Sequence, residues 1–196
     1  GVGSDSIGYL IVTVTVDNNP AQTFNGPPDA NGVVAAIWVN EGSSVSFSYE
    51  EYIAVSSTKR YRFDSISGSG SASGISTSSR TGSFTVTSTG MDSTITATYI
   101  TQWLQTFQQS GLTCGDVTSP TVVTVNGVPS GCGVLPYTVW VDEGLTVEYS
   151  YTNPVTSSVP NQQYWLSSIT GAPLQNPYTV SWANTITGNY CLLYTS

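Results

Sequence analysis

The sequence predicts an all-β protein that consists of two immunoglobulin-like antiparallel β-sandwich domains in tandem, with an extended N-terminal strand in front of them. Short runs rich in Val, Ile, Thr and Tyr alternate with turn residues such as Gly, Pro, Asn and Ser. No segment keeps the hydrophobic period of a helix. One ordered series of motifs also occurs twice along the chain. Many short strands separated by turns are typical of antiparallel sandwiches.

The chain begins with a strongly β-prone stretch over residues 7–16. Its alternate positions form two rows, and one row is apolar throughout from Leu10 onward. The repeated part of the sequence begins only at Val12, so residues 1–11 are surplus to the first domain. We predict that they form a donor strand, which reaches up to roughly 36 Å and pairs with a neighbouring molecule. The residues expected in this interface are Ile7, Gly8, Tyr9, Leu10, Ile11 and Val12.

An internal repeat defines the two domains. The motif Trp-Val-Asn-Glu-Gly at residues 38–42 returns as Trp-Val-Asp-Glu-Gly at 140–144. The other matched segments are 14–17 with 123–126, 45–49 with 147–151, 61–63 with 164–166, 84–86 with 178–180, and 94–99 with 185–190. This order of matches predicts a first sandwich over residues 12–109 and a second over 121–196, with a linker at 110–120.

Each copy contains about six predicted strands. In the first copy they cover residues 12–16, 33–39, 43–50, 60–66, 83–88 and 93–103, and in the second copy 121–126, 136–141, 145–151, 162–168, 177–182 and 185–194. An immunoglobulin-type sandwich has about seven strands. A deficit of one strand leaves an unpaired edge and an uncovered groove in the core.

Charge is scarce in this protein. Only 8% of its residues are charged, there is no histidine, and 12 acidic residues outnumber 4 basic ones to give a net charge of −8. This composition excludes a basic surface of the kind that binds nucleic acid. It also suits an acidic exterior, because at about pH 2 to 3 most carboxylates would be neutral and the net charge small.

The chain has the features expected of a secreted protein. Its first residue is Gly rather than Met, which is expected where a targeting peptide has been removed. No apolar run has the length of a membrane-spanning helix, so we expect no membrane insertion in the mature chain. We therefore predict an extracellular location at the cell surface.

The residue types that usually carry catalysis are absent or poorly placed. Without histidine, the chain lacks the commonest general base and the commonest metal ligand. The acidic pairs Glu50-Glu51 and Asp142-Glu143 are adjacent on predicted strands or turns, so their side chains point in opposite directions and do not converge on a substrate. We therefore predict that the protein is not an enzyme and uses no cofactor.

Two other sets of residues have both a functional and a structural interpretation. The loops with Asn40-Glu41 and Asp142-Glu143 could hold a hard cation, but calcium sites usually recruit more closely spaced acids, so we favour turn chemistry and predict no metal site. Repeated aromatic residues could stack on carbohydrate, but their recurrence at matching points of both copies favours a core role. These aromatic residues are Trp38, Trp140, Tyr49, Tyr99, Tyr151 and Tyr190.

Three cysteines permit one disulfide and leave one thiol over. In an immunoglobulin-like order, the loop after the first strand lies at the end toward which the last strand runs. Cys132 lies in that loop of the second copy, and Cys191 lies in the last strand. We therefore predict a disulfide between Cys132 and Cys191, with Cys114 left over.

Several motifs resemble the β-sandwich repeats of secreted crenarchaeal surface proteins. They are Trp-Val-[Asn/Asp]-Glu-Gly in both copies, Tyr61-Arg62-Phe63, and Thr94-Ile95-Thr96-Ala97-Thr98-Tyr99-Ile100-Thr101-Gln102. Thermopsin-type proteases and S-layer-associated proteins carry similar runs. With its size and its apolar leading strand, the whole chain is most similar to subunits of archaeal thread filaments. This resemblance implies a pilus-like filament of heavily glycosylated subunits that join head to tail by donor strand complementation. The sequence departs from the family in having no Asn-x-Ser/Thr sequon. A pilin from a related lineage, or one with glycans on Ser and Thr, would be consistent with this departure.

Three functional hypotheses follow. The first is a structural subunit of an extracellular filament that serves adhesion or contact between cells and has further copies of itself as partners. The second is an S-layer or adhesin β-sandwich module. The third is an acid-stable hydrolase domain, or a non-catalytic domain associated with such a hydrolase.

Overall fold

The computed structural model describes residues 10–25, 34–87, 92–171 and 175–194. Within these ranges the regular structure is β-strand apart from two short 3-10 helices, so the prediction of an all-β protein is confirmed. The chain divides into two compact units, Gly1–Thr101 and Gln102–Ser196, which we call the first unit and the second unit.

The described part of the first unit contains six strands and the beginning of a seventh. They are β1 (Leu10–Val16), β2 (Gln22–Asn25), β3 (Ser44–Tyr49), β4 (Tyr52–Ala54), β5 (Lys59–Ser69), β6 (Thr81–Thr85) and β7 (Thr94–Ser110), with a 3-10 helix at Gly70–Ala72. One antiparallel sheet has the order β2-β1-β3-β6. The other contains β4, β5 and the first part of β7.

The second unit is formed by the rest of β7 and nine further strands in the described ranges. They are β8 (Val123–Val125), β9 (Val128–Ser130), β10 (Tyr137–Asp142), β11 (Thr146–Val147), β12 (Tyr149–Tyr151), β13 (Val155–Thr156), β14 (Gln162–Gly171), β15 (Tyr178–Thr179) and β16 (Asn184–Tyr194), with a 3-10 helix at Cys132–Val134. The largest sheet has the order β13-β14-β16-β7, and β10 also pairs with β7. Two smaller sheets have the orders β12-β8-β9 and β11-β15.

Each unit has its own hydrophobic core. In the second unit the buried apolar residues form one continuous cluster that includes Phe107 and Ile186. In the first unit they form two smaller clusters, one around Ile53 and the other around Phe47 and Phe63. The apolar interior is therefore more extensive in the second unit than in the described part of the first.

The matched turn residues Asp17 and Asn126 each accept a hydrogen bond from a backbone amide of their own unit. The Asp17 carboxylate accepts a hydrogen bond from the Ser44 amide at 2.7 Å, and the matched Asn126 side chain accepts one from the Glu148 amide at 2.8 Å. Both residues have positive φ, at 49° and 47°. Hydrogen bonds from Ser43 and Ser44 also lower the pKa of Asp17. The turn residue is thus matched in the two units, but the donor amide is not, because Ser44 corresponds to Thr146 in the repeat and Glu148 to Ser46.

Most of the predicted strands are present, but the one at 33–39 is wrong in its described part. Residues 34–39 form no strand, whereas the matched residues form β10. β10 has a hydrogen-bonding partner in β7, and residues 34–39 have no strand partner among the described residues. A β-prone sequence without a neighbouring strand cannot form a ladder. Four strands of only two to four residues, β2, β4, β9 and β13, were not predicted.

The boundary between the two units lies earlier in the sequence than the repeat predicts. The sequence predicted a linker at residues 110–120, but residues 102–110 of β7 already pair with strands of the second unit. Within the predicted linker, Val117 forms a β-bridge with Ser157. The segment is therefore held to the second unit and does not act as a free connection.

The predicted disulfide between Cys132 and Cys191 is wrong. The structure joins Cys114 to Cys132, with their Cα atoms 5.4 Å apart, and leaves Cys191 as an exposed thiol. Cys191 follows the buried Tyr190 on β16. Because successive side chains of a strand point to opposite faces, Cys191 points away from the core that contains Cys132.

Replacing Cys114 and Cys132 together with Ser should lower the free energy of unfolding of the second unit by about 3 kcal/mol. This is the value that the chain-entropy model gives for a loop of this length, the two cysteines being 18 residues apart. Denaturant unfolding measures the change. The matched control is Cys191→Ser, which alters an exposed thiol and should change the free energy by less than about 0.5 kcal/mol. Non-reducing peptide mapping that finds Cys191 joined to either other cysteine would contradict this pairing.

Candidate strand-acceptor site

The second part of β7 is an inner strand of the second unit. Residues 102–107 pair antiparallel with β10, and residues 105–110 pair parallel with β16. Because residues 105–107 pair with both strands, β10 and β16 lie on opposite edges of β7. The sheet of the second unit is therefore completed by a strand that precedes the repeated part of this copy in the sequence.

The side chains of this inner strand help to fill the core of the second unit. Phe107 is 0% exposed, and its ring centroid lies 5.6 Å from that of Tyr149. Full burial of an aromatic side chain contributes about 1.5–3 kcal/mol relative to exposure. β7 therefore supplies apolar volume at the centre of the core as well as ladder hydrogen bonds.

Gln105 of the same strand makes a buried polar network. Its side chain is 0% exposed and donates a hydrogen bond to the Trp182 carbonyl at 3.0 Å. Its Oε1 atom accepts hydrogen bonds from the Tyr178 hydroxyl at 2.9 Å and from the Asn184 amide at 3.0 Å. Burial raises the pKa of Tyr178 to about 12, so its hydroxyl keeps the donated proton at neutral pH. The amide of Gln105 is thus satisfied on both its donor and its acceptor side.

The first unit has no counterpart of this inner strand in the described part of the chain. Its last strand is the first part of β7, residues 94–101, which corresponds to β16 in the repeat. β5 is its neighbour in the sheet, and β10 and β16 pair with β7 only from Gln102 onward. β5 is therefore the only described strand along residues 94–101. We call the other edge of residues 94–101 the open edge.

Residues on the inner side of the open edge are less buried than their matches in the second unit. Ile95 and Tyr99 are partly exposed, whereas Ile186 is 0% and Tyr190 is 7% exposed. The two tyrosines make the same hydrogen bond. The Tyr99 hydroxyl donates to a carbonyl oxygen at 2.8 Å, and the Tyr190 hydroxyl donates to the matched carbonyl oxygen at 2.9 Å. Tyr99 and Tyr190 therefore make the same hydrogen bond but differ in burial.

The hydrogen bonds of Tyr49 and Tyr151, which are matched in the repeat, also differ between the two units. The Tyr151 hydroxyl lies 2.8 Å from the carbonyl oxygens of both Ile186 and Gln108. The Tyr49 hydroxyl lies 3.4 Å from the carbonyl oxygen of Ile95, the match of Ile186. Burial raises the pKa of both tyrosines, so both hydroxyls are donors at neutral pH. Gln108 belongs to the inner strand of the second unit, and its carbonyl has no counterpart among the described residues of the first unit.

Residues 35–40 correspond to β10 in the repeat. Trp38 is fully exposed and Ile37 is 37% exposed, whereas Trp140, the match of Trp38, is partly buried in β10. The prediction that Trp38 is a core residue is therefore wrong, because the strand against which it would pack is not formed by described residues. Of the other repeated aromatic residues, Tyr151 and Tyr190 are buried, and Tyr49, Tyr99 and Trp140 are partly buried.

The structure narrows the predicted donor strand. Ile7, Gly8 and Tyr9 lie outside the described residues. Leu10 and Ile11 begin β1. Val12 is buried and pairs with strands β2 and β3 of its own unit. Because both edges of Val12 are occupied, its assignment to a donor interface is wrong, and a donor segment is confined to residues 1–9.

The acidic residues singled out in the sequence stabilise a turn. The Asp142 carboxylate accepts a hydrogen bond from the Gln102 side chain at 2.6 Å, and the Glu143 carboxylate accepts one from the Trp103 indole at 3.3 Å. Gly144 follows with φ of 88°, a conformation that favours glycine. These contacts join β10 to the strand beside it. Among the residues that the structure describes, no cluster of three or more His, Cys, Asp or Glu side chains could hold a metal ion.

Comparisons with protein families, with curated proteins and with solved structures find no match for this chain. Within the described ranges, no helix has both the length and the apolar character needed to cross a membrane.

Gln105→Leu should lower the free energy of unfolding of the second unit by about 1–3 kcal/mol, because the buried Tyr178 hydroxyl loses its acceptor and the Asn184 amide keeps only the Trp182 carbonyl. Adding Tyr178→Phe removes the orphaned hydroxyl and should recover part of the loss. Gln108→Leu is the matched control, because Gln108 is only partly buried, and should cost less. Equal losses for Gln105→Leu and Gln108→Leu in denaturant unfolding would show that the buried network does not stabilise the unit.

Proposed function

We propose that the protein is a structural subunit of an extracellular, cell-surface filament in which copies join head to tail by donor strand complementation. In this proposal the two units are tandem immunoglobulin-like sandwiches. The observation that carries it is the open edge: the described part of the first unit lacks the inner strand that completes the second unit. The protein is proposed to act without catalysis, cofactor or nucleic acid, and to serve adhesion or contact between cells.

Strand insertion fits what the first unit lacks. An added strand would satisfy the backbone groups of the open edge and would place alternate side chains in the groove beside Ile95. The sheet of the second unit already contains such a strand, and its Phe107 lies beside Ile186, the match of Ile95. Because donor and acceptor surfaces differ, repetition of this contact need not close and gives an open filament.

Residues 1–9 have the composition of such a donor. Asp5 is the only charged side chain among them, and the apolar Ile7 and Tyr9 share one face of an extended chain. At about 3.3 Å per residue the segment reaches roughly 30 Å. This is the reach of residues 102–110, the strand that fills the matched place in the second unit.

The donor is proposed to come from another copy, because of the connection that a strand from the same copy would need. In the second unit, residues 111–122 connect the inner strand to β8, which belongs to a different sheet. Residues 1–9 lead directly into β1 at Leu10. A donor formed by these residues therefore has no connection of comparable length with which to cross to β1 of the same sandwich.

A second candidate function is favoured by the continuity of β7. This strand ends the sheet of the first unit and continues as the inner strand of the second unit. In a longer chain with more repeats, a preceding repeat could supply the missing strand to the first unit in the same way. The protein would then be a module of an S-layer or adhesin array and would not polymerise.

Removal of residues 1–9 should abolish filament formation and leave both units folded, because the deletion stops before β1. Electron microscopy measures assembly, and circular dichroism with thermal unfolding of the monomer measures folding. Ile7→Asp with Tyr9→Asp should have the same effect, since charge is costly in an apolar groove. Ser4→Asp with Ser6→Asp is the matched control on the other face of the segment and should assemble more readily.

Two outcomes would contradict the proposal. Normal filaments from the chain without residues 1–9 would exclude this donor. A full chain that stays monomeric at high concentration would leave the array module as the better account.

A further inference from the structure

We infer that residues 35–40 are a closing strand, which pairs with the outer edge of a donor from a second copy and thereby withdraws Trp38 from solvent. This inference rests on the proposed function, because it describes how the same acceptor site holds its donor. In the absence of the donor these residues have no strand partner among the described residues.

The first support is the position of the matched segment in the second unit. There, residues 137–142 form β10 and pair antiparallel with the inner strand along its outer edge. Trp140 stands directly opposite Leu104 in that ladder and is partly buried. Residues 35–40 have the same spacing to the Glu-Gly turn that follows, so they have the length and register to form the same ladder.

The second support is that the segment is already held at both ends. Val34 packs against the cluster around Ile53. At the other end, the Gly42 amide donates to the Val86 carbonyl at 2.9 Å, and the matched Gly144 amide donates in the same way at 2.8 Å. Only the middle of the segment differs from its match, so closure requires a local change.

The third support is the exposed apolar surface that closure would remove. Ala36, Ile37 and Trp38 are consecutive exposed residues. A fully exposed tryptophan at a position that is partly buried in the repeat indicates a missing neighbour. A donor strand between this segment and the open edge supplies that neighbour.

The chemistry of the groove also restricts the donor. The partners of the buried Gln105 are Tyr178 and Asn184, and the matched positions in the first unit are Phe84 and Ser93. A polar donor side chain would lose the Tyr178 hydroxyl as a partner there. The groove therefore selects an apolar residue, such as the Ile and Tyr of residues 1–9 of a second copy.

Proline substitutions in the closing strand test this inference. Ala36→Pro and Ile37→Pro alter neighbouring amides, which point to opposite edges of a strand, so one of the two removes a ladder hydrogen bond to the donor. That variant should weaken assembly about fivefold or more, the effect of one hydrogen bond, without changing the thermal unfolding of the monomer. Thr138→Pro and Val139→Pro, at the positions of the second unit that match Ala36 and Ile37, are the controls, and the one whose amide faces β7 should destabilise the monomer, because β10 is already paired.

Fluorescence of Trp38 gives an independent readout. Trp38 is the only tryptophan of the first unit. On assembly its emission should shift to shorter wavelength and become less accessible to a soluble quencher, and both changes should disappear in Trp38→Phe. Assembly that proceeds with Trp38 still fully accessible, or that neither proline affects, overturns the closing strand while leaving the filament proposal intact. Destabilisation of the monomer by both prolines also overturns it. If the unaltered chain does not assemble, both proposals are wrong.

Discussion

An inner β-strand needs hydrogen-bonding partners along both edges, and the architecture of this chain depends on how that requirement is met. In the second unit it is met by the late part of β7, which lies between β16 and β10 and places Phe107 in the core. In the first unit, a described strand pairs with only one edge of residues 94–101. The exposed Trp38 and the partly exposed Ile95 both follow from this single difference.

Neutral polar side chains make many of the hydrogen bonds that join distant parts of each unit. Tyrosine hydroxyls donate hydrogen bonds to backbone carbonyls within each unit, as Tyr99 and Tyr190 do at matched positions. Burial raises the pKa of Tyr190 to about 12, so the donated proton is kept from acid through neutral pH. Such contacts do not titrate in acid, which agrees with a composition of only 8% charged residues.

The sequence was informative wherever a pattern is decided locally. Alternating β-prone runs predicted most strands, and the ordered motifs predicted the repeat that the matched Tyr99 and Tyr190 hydrogen bonds preserve. The sequence was uninformative where the presence of a partner strand decides whether a segment forms a strand. The matched runs at 35–40 and 137–142 have similar sequences, but only the second has a partner strand among the described residues and is a strand in the structure.

The same limit explains the other corrections. The boundary between the units falls inside β7, where a continuous strand gives no turn signal. The disulfide depends on which face of β16 each side chain occupies, and Cys191 lies on the exposed face. The open edge was foreseen only as a deficit of one strand per copy. Its restriction to the first unit depends on strand neighbours that a linear pattern does not contain.

Residue-resolved amide exchange of the monomeric protein tests the central claim, that one edge of residues 94–101 is open, most directly. Every second amide of residues 94–101 should exchange rapidly, whereas the amides of the matched residues 186–189, which are paired along both edges, should be protected. Amides of β3, which is paired along both edges within the first unit, serve as the internal standard for the stability of that unit. Uniform protection of residues 94–101, equal to that of β3, would contradict the account.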